Sequence, residues 1–411
     1  MLTGYVTRAA SAYNFEANGL RVLCGAETLT LKEVRPAVDD TNNGCPRAAP
    51  YIGEVVTVYG SLKKKKHAVE ATRIEFPLPV LAGMRGSAVV EALNEPDPPD
   101  PQPTQALVRA DGYWIRIYSK TRLNLVPPLQ SLTDVKPGNW LDYKGTLGAD
   151  GVVVATEARI GPNFIGAGEE KLRAKNEFDP SATPSDTKKN AIEHALIGGF
   201  DRTEFPPYKD PAMQARVNAV GEKLIPTFER NLPNSDPAKI HFRFQVVDNT
   251  GHRDVWALPS GIILIPRQVV ERMQNDSQLA TVLADSIACA LERQQYRTQA
   301  AGRLAATASW GGFATVAAGG LVPIAGDAIL AGSMETQSDI AAYRLEQRGR
   351  VSLGLLHDAG YDIDQAPIAW WLLASRKPRP LAKIDLPDQA AYLYLELGET
   401  WDNPLATPGT Y

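Results

Sequence analysis

Side chains able to do chemistry are few in this chain. Its five histidines, His67, His194, His241, His252 and His357, are nowhere four residues apart, so no helical histidine pair can hold a metal. The 3 cysteines are too few for a disulfide scaffold or a four-thiolate metal site. Cys24 falls on an expected strand and Cys45 in a loop of the same β region. That leaves a disulfide open in an oxidising compartment, although spacing alone fixes no distance. Lys63-Lys64-Lys65-Lys66-His67 is a basic run at an expected hairpin tip. It offers contact with phosphate or an anionic membrane surface. Without interleaved aromatics that attraction is weak and salt-sensitive, and a solvated loop is the plainer reading. Trp114, Trp140 and Tyr143 suit a base-stacking platform or, as alternating strand residues, a core.

The frame that positions these residues begins with size. A chain of 411 residues, 44% hydrophobic and 22% charged, predicts two or three globular domains. A net charge of -4 argues against a dedicated nucleic-acid binder. Met1-Leu2-Thr3-Gly4-Tyr5-Val6 enters strand-like sequence at once, with neither a basic nor an apolar leader region, so either there is no secretory signal or it lies outside this sequence. Residues 304–326 carry no charge and match the length of a bilayer span. They consist mainly of Ala, Gly, Ser and Thr with Pro323 inside, which favours interior packing or a membrane-surface hairpin over a span.

Residues 1–78 and 79–165 read as an internal repeat of strands. Copy one places a turn at Asn18-Gly19 between alternating runs, and copy two places one at Asp111-Gly112. Both pairs supply the positive φ that a tight hairpin needs. About five strands per copy suffice for a small closed barrel without open edges. The expected fold is therefore α+β and multidomain, with two tandem antiparallel β-barrels of the oligonucleotide-fold type before a mostly helical part. Residues 166–190 are polar and read as a linker, and 401–411 as a tail. Beyond 190, Asp210-Pro211 opens a helix with Met213, Val217, Val220 and Leu224 on its apolar face. Strands are expected over 240–247 and 256–266, and helices over 276–297 and 327–357.

Four segments of the C-terminal half carry a resemblance. Ala257-Leu258-Pro259-Ser260-Gly261-Ile262-Ile263-Leu264-Ile265 precedes Leu279-Ala280-Thr281-Val282-Leu283-Ala284. Glu335-Thr336-Gln337-Ser338-Asp339 and Ala359-Gly360-Tyr361-Asp362 follow. In this order they resemble the zinc metallopeptidases typified by the CAAX prenyl endopeptidase and HtpX, over roughly 210–386. The resemblance implies a zincin-like (gluzincin) domain over 191–400. In that family the helix runs into His-Glu-x-x-His, and a later Glu-x-x-x-Asp supplies the third zinc ligand. Here the first motif becomes Asp285-Ser286-Ile287-Ala288-Cys289, and Ser375-Arg376-Lys377-Pro378 stands where the family has Thr-His-Pro. Both imidazoles and the general-base Glu are replaced, and Ser286 is a poor base at neutral pH.

Two readings of these positions stay open. One places a zinc ion between Asp285, Cys289 and Glu335, with Asp339 behind them, giving an active metallopeptidase with a non-standard site. The other makes Asp285 a buried polar residue paired with a nearby Arg or with backbone, and Cys289 a core residue, with no cofactor. The resemblance also puts the strand of Ile262, Ile263, Leu264 and Ile265 at a substrate cleft, pairing with extended peptide. The leading expectation is a catalytically degenerate homologue that binds a peptide or protein partner, extracytoplasmic or at the cell envelope, with a cytoplasmic location as the alternative. Membrane-surface contact through 304–326 is a secondary expectation, and nucleic-acid binding through the barrels a distant one.

Overall fold

The two hairpin turns form as their sequences demand: Asn18 and Gly19 have φ of 46° and 72°, and Asp111 and Gly112 have 59° and 73°. The computed structural model describes residues 1–34, 38–77, 83–94, 104–148, 150–183, 204–248, 255–297, 337–374 and 388–402. The chain is mixed α and β, with two antiparallel-rich sheets, a small three-stranded sheet and several helices.

The first sheet holds β1 (Leu2–Ser11), β2 (Asn14–Ala17), β3 (Leu20–Leu23), β4 (Leu29–Val34), β5 (Val38–Asn43), β6 (Val55–Lys63) and β7 (Ala68–Phe76). Its order is β3-β2-β1-β6-β7-β4-β5, and β3 also pairs with β7, in parallel. The second holds β8 (Gly83–Asn94), β9 (Thr104–Ala110), β10 (Tyr113–Tyr118), β11 (Arg122–Leu125), β12 (Trp140–Leu147) and β13 (Val153–Gly161). Its order is β10-β9-β8-β12-β13-β11, and β10 pairs in parallel with β13, so it closes into a barrel. The same circuit of pairings thus recurs in both copies. Period-2 alternation explains why each has its own interior: Val6, Phe15, Val22, Val58 and Ile74 fill the first, and Val108, Ile115, Ile117, Leu141 and Ile160 fill the second. A disulfide joins Cys24 to Cys45, with their Cα atoms 5.2 Å apart.

The expected linker starts instead with a helix, α1 (Ala167–Lys175). Glu169, buried, ties it down by pairing with Arg293, whose Nε donates to the carboxylate at 2.8 Å, and with Arg173 one turn along. Next come α2 (Pro211–Leu224), α3 (Thr227–Asn231), β14 (Arg243–Val247), β15 (Trp256–Ala257), β16 (Ile262–Pro266), α4 (Arg267–Arg272) and α5 (Asp276–Leu291). Then follow α6 (Gln337–Asp358), α7 (Gln365–Ala374), α8 (Asp388–Glu396) and one π-helical turn, Leu397–Trp401. Asp210 and Asn275 cap α2 and α5, accepting hydrogen bonds from backbone N–H groups of their first turns. Every residue from Gln278 to Leu291 is buried, because α2, α6 and α7 surround α5. Arg293 at φ 55° turns the chain just beyond α5, ending the helix short of the expected 297. Among the described residues, no helix is long and apolar enough to cross a membrane; residues 304–326 lie outside them.

The run expected as one strand over 256–266 is two strands. Gly261, at φ 94°, packs so closely on Ile240 that a Cβ there would collide, and it turns the chain between β15 and β16.

Candidate functional site

Asp285 and Cys289 lie at i and i+4 on α5 and so share one face of a helix with no solvent side. The Asp285 carboxylate accepts a hydrogen bond from Gln389 Nε2 of α8 at 3.2 Å and faces Arg348 Nε of α6 at 3.7 Å. That Nε is buried without a hydrogen-bond partner among the described residues, so it meets Asp285 as a charge across a short gap. The positive charge of the same guanidinium favours the Cys289 thiolate, though less than burial opposes it. Burial pushes the Asp285 carboxyl above its ordinary range while Arg348 pulls it down, and burial pushes the Cys289 thiol up. A protonated thiol is a poor metal ligand, because the thiolate is the ligating form. Ser286 is buried and donates to the Val282 carbonyl at 3.2 Å, one turn back on its own helix.

Glu335 lies outside the described residues. Asp339 belongs to the first turn of α6, and its side chain also lies outside them. Of the four expected positions, the side chains of Asp285 and Cys289 are therefore described, and the Arg348 guanidinium sets a positive charge beside the Asp285 carboxylate.

The strand of Ile262, Ile263, Leu264 and Ile265 does not line a cleft. It forms most of β16, the centre of its sheet, parallel to β14 on one side and antiparallel to β15 on the other. All four side chains are buried. A strand with both neighbours in place has no hydrogen-bonding edge left for substrate. The edges belong to β14, whose outer side is bridged by residues 206–208 and Gln214, and to β15, which places Ala257 opposite Ile263 and has its outward carbonyl at Ala257 occupied by Gln295 Nε2 at 2.7 Å.

The stacking platform does not form either. Trp114 and Tyr143 are buried, and the Tyr143 hydroxyl donates to Asp111 at 2.8 Å. Trp140 is the half-buried member. Lys64–Lys66 form one exposed 3-10 turn, and Lys63 pairs with Glu70 at 2.7 Å.

Sequence reasoning missed a charged seam between the second barrel and the helices. Arg350 of α6 holds Asp111 by Nη2 at 2.7 Å and takes its carbonyl by Nε at 2.9 Å. Arg109 pairs with Glu91 at 3.2 Å and with Asp358, and the Tyr113 hydroxyl donates to Glu396 at 2.9 Å. Burial lifts Glu91 to about 7 even with Arg109 beside it. Burial and the neighbouring charges of Asp111 and Glu91 hold Glu292 well above the usual carboxylate range. The available signal was the density of arginines in Arg344-Leu345-Glu346-Gln347-Arg348-Gly349-Arg350, more than a solvated face needs.

A scan against known protein families finds no family whose model matches this chain.

Proposed function

We propose that this chain is a catalytically silent homologue of the zinc metalloendopeptidases, with two oligonucleotide-fold-type barrels ahead of a zincin-like helical domain, and that it binds a peptide or protein partner. The observation that carries the reading is the Asp285–Arg348–Cys289 cluster. Hydrolysis requires two neutral imidazoles and a carboxylate base around an open metal. Here those places hold an ion-paired acid, a helix-bonded hydroxyl and a thiol kept protonated by burial. The barrel reading draws support from the recurring circuit, in which β8-β9-β10 close through β13 and β12 back to β8, as β1-β2-β3 close through β7 and β6 back to β1, with β10–β13 and β3–β7 parallel. The disulfide Cys24–Cys45 favours an oxidising compartment, in keeping with a cell-envelope location.

Extended peptide would pair with β15. Leu258 N–H bonds to Ile262 O at 2.8 Å, so by alternation the Ala257 N–H points away from the sheet. The test combines a protease assay on unfolded protein substrates with binding to a peptide array, each with and without a metal chelator. The reading expects no cleavage, and binding that survives chelation and weakens in Ala257→Pro. Cleavage abolished by chelator would instead establish the Asp285/Cys289/Glu335 metallopeptidase.

A further inference from the structure

We propose that the outer face of the second barrel binds an acidic protein segment through one large apolar anchor side chain. Two adjoining hollows form a continuous groove there, since Asp142 and Arg159 line both. One is a cavity of about 270 Å³ walled by Val126, Trp140, Pro162 and Phe164. Its neighbour, of about 290 Å³, lies between the long side chains of β8, β11, β12 and β13.

Size decides what the apolar end accepts. Pockets for whole small molecules span about 300–1,000 Å³, so this one suits a single side chain better than a complete cofactor. It is also built in advance. The Trp140 indole N–H donates to Ser87 Oγ at 2.9 Å, and the Arg293 and Arg297 guanidinium groups sit 5.5 and 5.4 Å from the ring centre. A fixed aromatic wall costs little ordering entropy when a partner arrives. Phe164 completes the wall and is 59% exposed; among the described residues only Met1 and Tyr13 are large apolar side chains left more open.

Charge decides what flanks the anchor. Arg85, Arg122, Lys144 and Arg159 face Asp142 and Glu157, a local excess of positive charge in a chain whose net charge is -4. Arg122 and Lys144 share Glu157, and Arg159 reaches Asp142 at 3.5 Å. Arg85 is exposed and has no ion-pair partner among the described residues. An acidic segment would answer Arg85 and Arg122 while its apolar side chain fills the cavity. A nucleic acid fits less well, because two carboxylates lie in the groove and Trp140 and Phe164 offer one cavity rather than a row of stacking faces. The groove lies on the barrel, so this inference stands independently of whether the helical domain is a silent peptidase.

The test uses the full chain and fluorescent synthetic peptides rich in Asp and Glu around a single Leu, Phe or Trp. Ala-centred and basic peptides and an oligothymidylate serve as competitors. Phe164→Ser and Arg85→Glu alter exposed positions, and unchanged melting temperatures check their folding. The expected result is binding of the acidic Phe or Trp peptide that falls about tenfold for the Ala-centred peptide and for each variant, with Ala257→Pro leaving it intact. The inference is overturned if no acidic peptide binds, if both groove variants bind as the natural chain does, or if the oligothymidylate displaces the peptide.

Discussion

Arg348 has no place in the metallopeptidase chemistry, yet its charge opposes the burial that lifts the Asp285 carboxyl. With the guanidinium removed, the Asp285 carboxylate keeps one hydrogen bond among the described residues, from Gln389, and must either stay charged in a buried site or take up a proton. Breaking a buried pair from one side costs about 3–5 kcal/mol. Arg348 retains 28% exposure and meets the acid at 3.7 Å, so the low end applies. Arg348→Ala should therefore lose about 3 kcal/mol of unfolding free energy in a denaturant titration, and Arg348→Ala with Asp285→Asn should recover most of it. Equal stability of Arg348→Ala and the natural chain would mean that the pair is incidental. Neither Arg348 nor Gln389 was readable from sequence. Both belong to helices that meet α5 only after the chain has folded back, Gln389 lying 104 residues from Asp285. Asp285 and Cys289 themselves were readable, because helical spacing alone puts i and i+4 on one face.

At the level of elements, local chemistry was legible and neighbour choice was not. Asn18-Gly19 and Asp111-Gly112 announce their turns because positive φ is a requirement of the residue itself. The Asp210 and Asn275 caps are legible for the same reason. The apolar run at Ile262 reads equally well as an edge or a centre, and only the return of β15 through Gly261 makes it central. That return moves the candidate peptide edge to β15 and puts Gln295 over it. A peptide pairing along β15 must displace the Gln295 amide from the Ala257 carbonyl. Gln295→Ala should consequently tighten chelator-resistant peptide binding several-fold, consistent with about 1 kcal/mol for one hydrogen bond. Weaker binding in Gln295→Ala would show that the glutamine helps to hold the peptide instead.

Across the whole molecule, the seam between the second barrel and the helices couples stability to pH. Gly112 at φ 73° lets the barrel's turn press on Arg350, where any Cβ would collide, so buried charges on both sides meet at close range. Burial raises Glu91, and Glu229 and Glu399 elsewhere, from 4.5 to about 7, and holds Glu292 and Glu396 up as well. Between pH 4.5 and about 7 the folded chain keeps protons on Glu91, Glu229 and Glu399 that the unfolded chain has released. Stability must then fall as pH rises through that window, by up to about 1.4 kcal/mol per pH unit for each group. Asp358 runs the other way: burial raises it, but hydrogen bonds from His357 and Arg109 outweigh that and hold it at about 2. Its contribution is present above its unfolded value of 3.8 and is lost as pH falls toward 2. The melting temperature should peak near pH ~5 and decline toward pH ~8, with Glu91→Gln flattening the decline; a rise from pH ~5 to ~8 would contradict this assignment of protons. The claim on which the functional account turns is simpler: an ion-paired core stands where the peptidases hold zinc. Elemental mass spectrometry on untagged full-length protein, with Asp285→Ala and Cys289→Ser alongside, tests it directly. The account predicts zinc far below one equivalent in all three proteins, whereas near-stoichiometric zinc in the natural chain that disappears in both variants would contradict it.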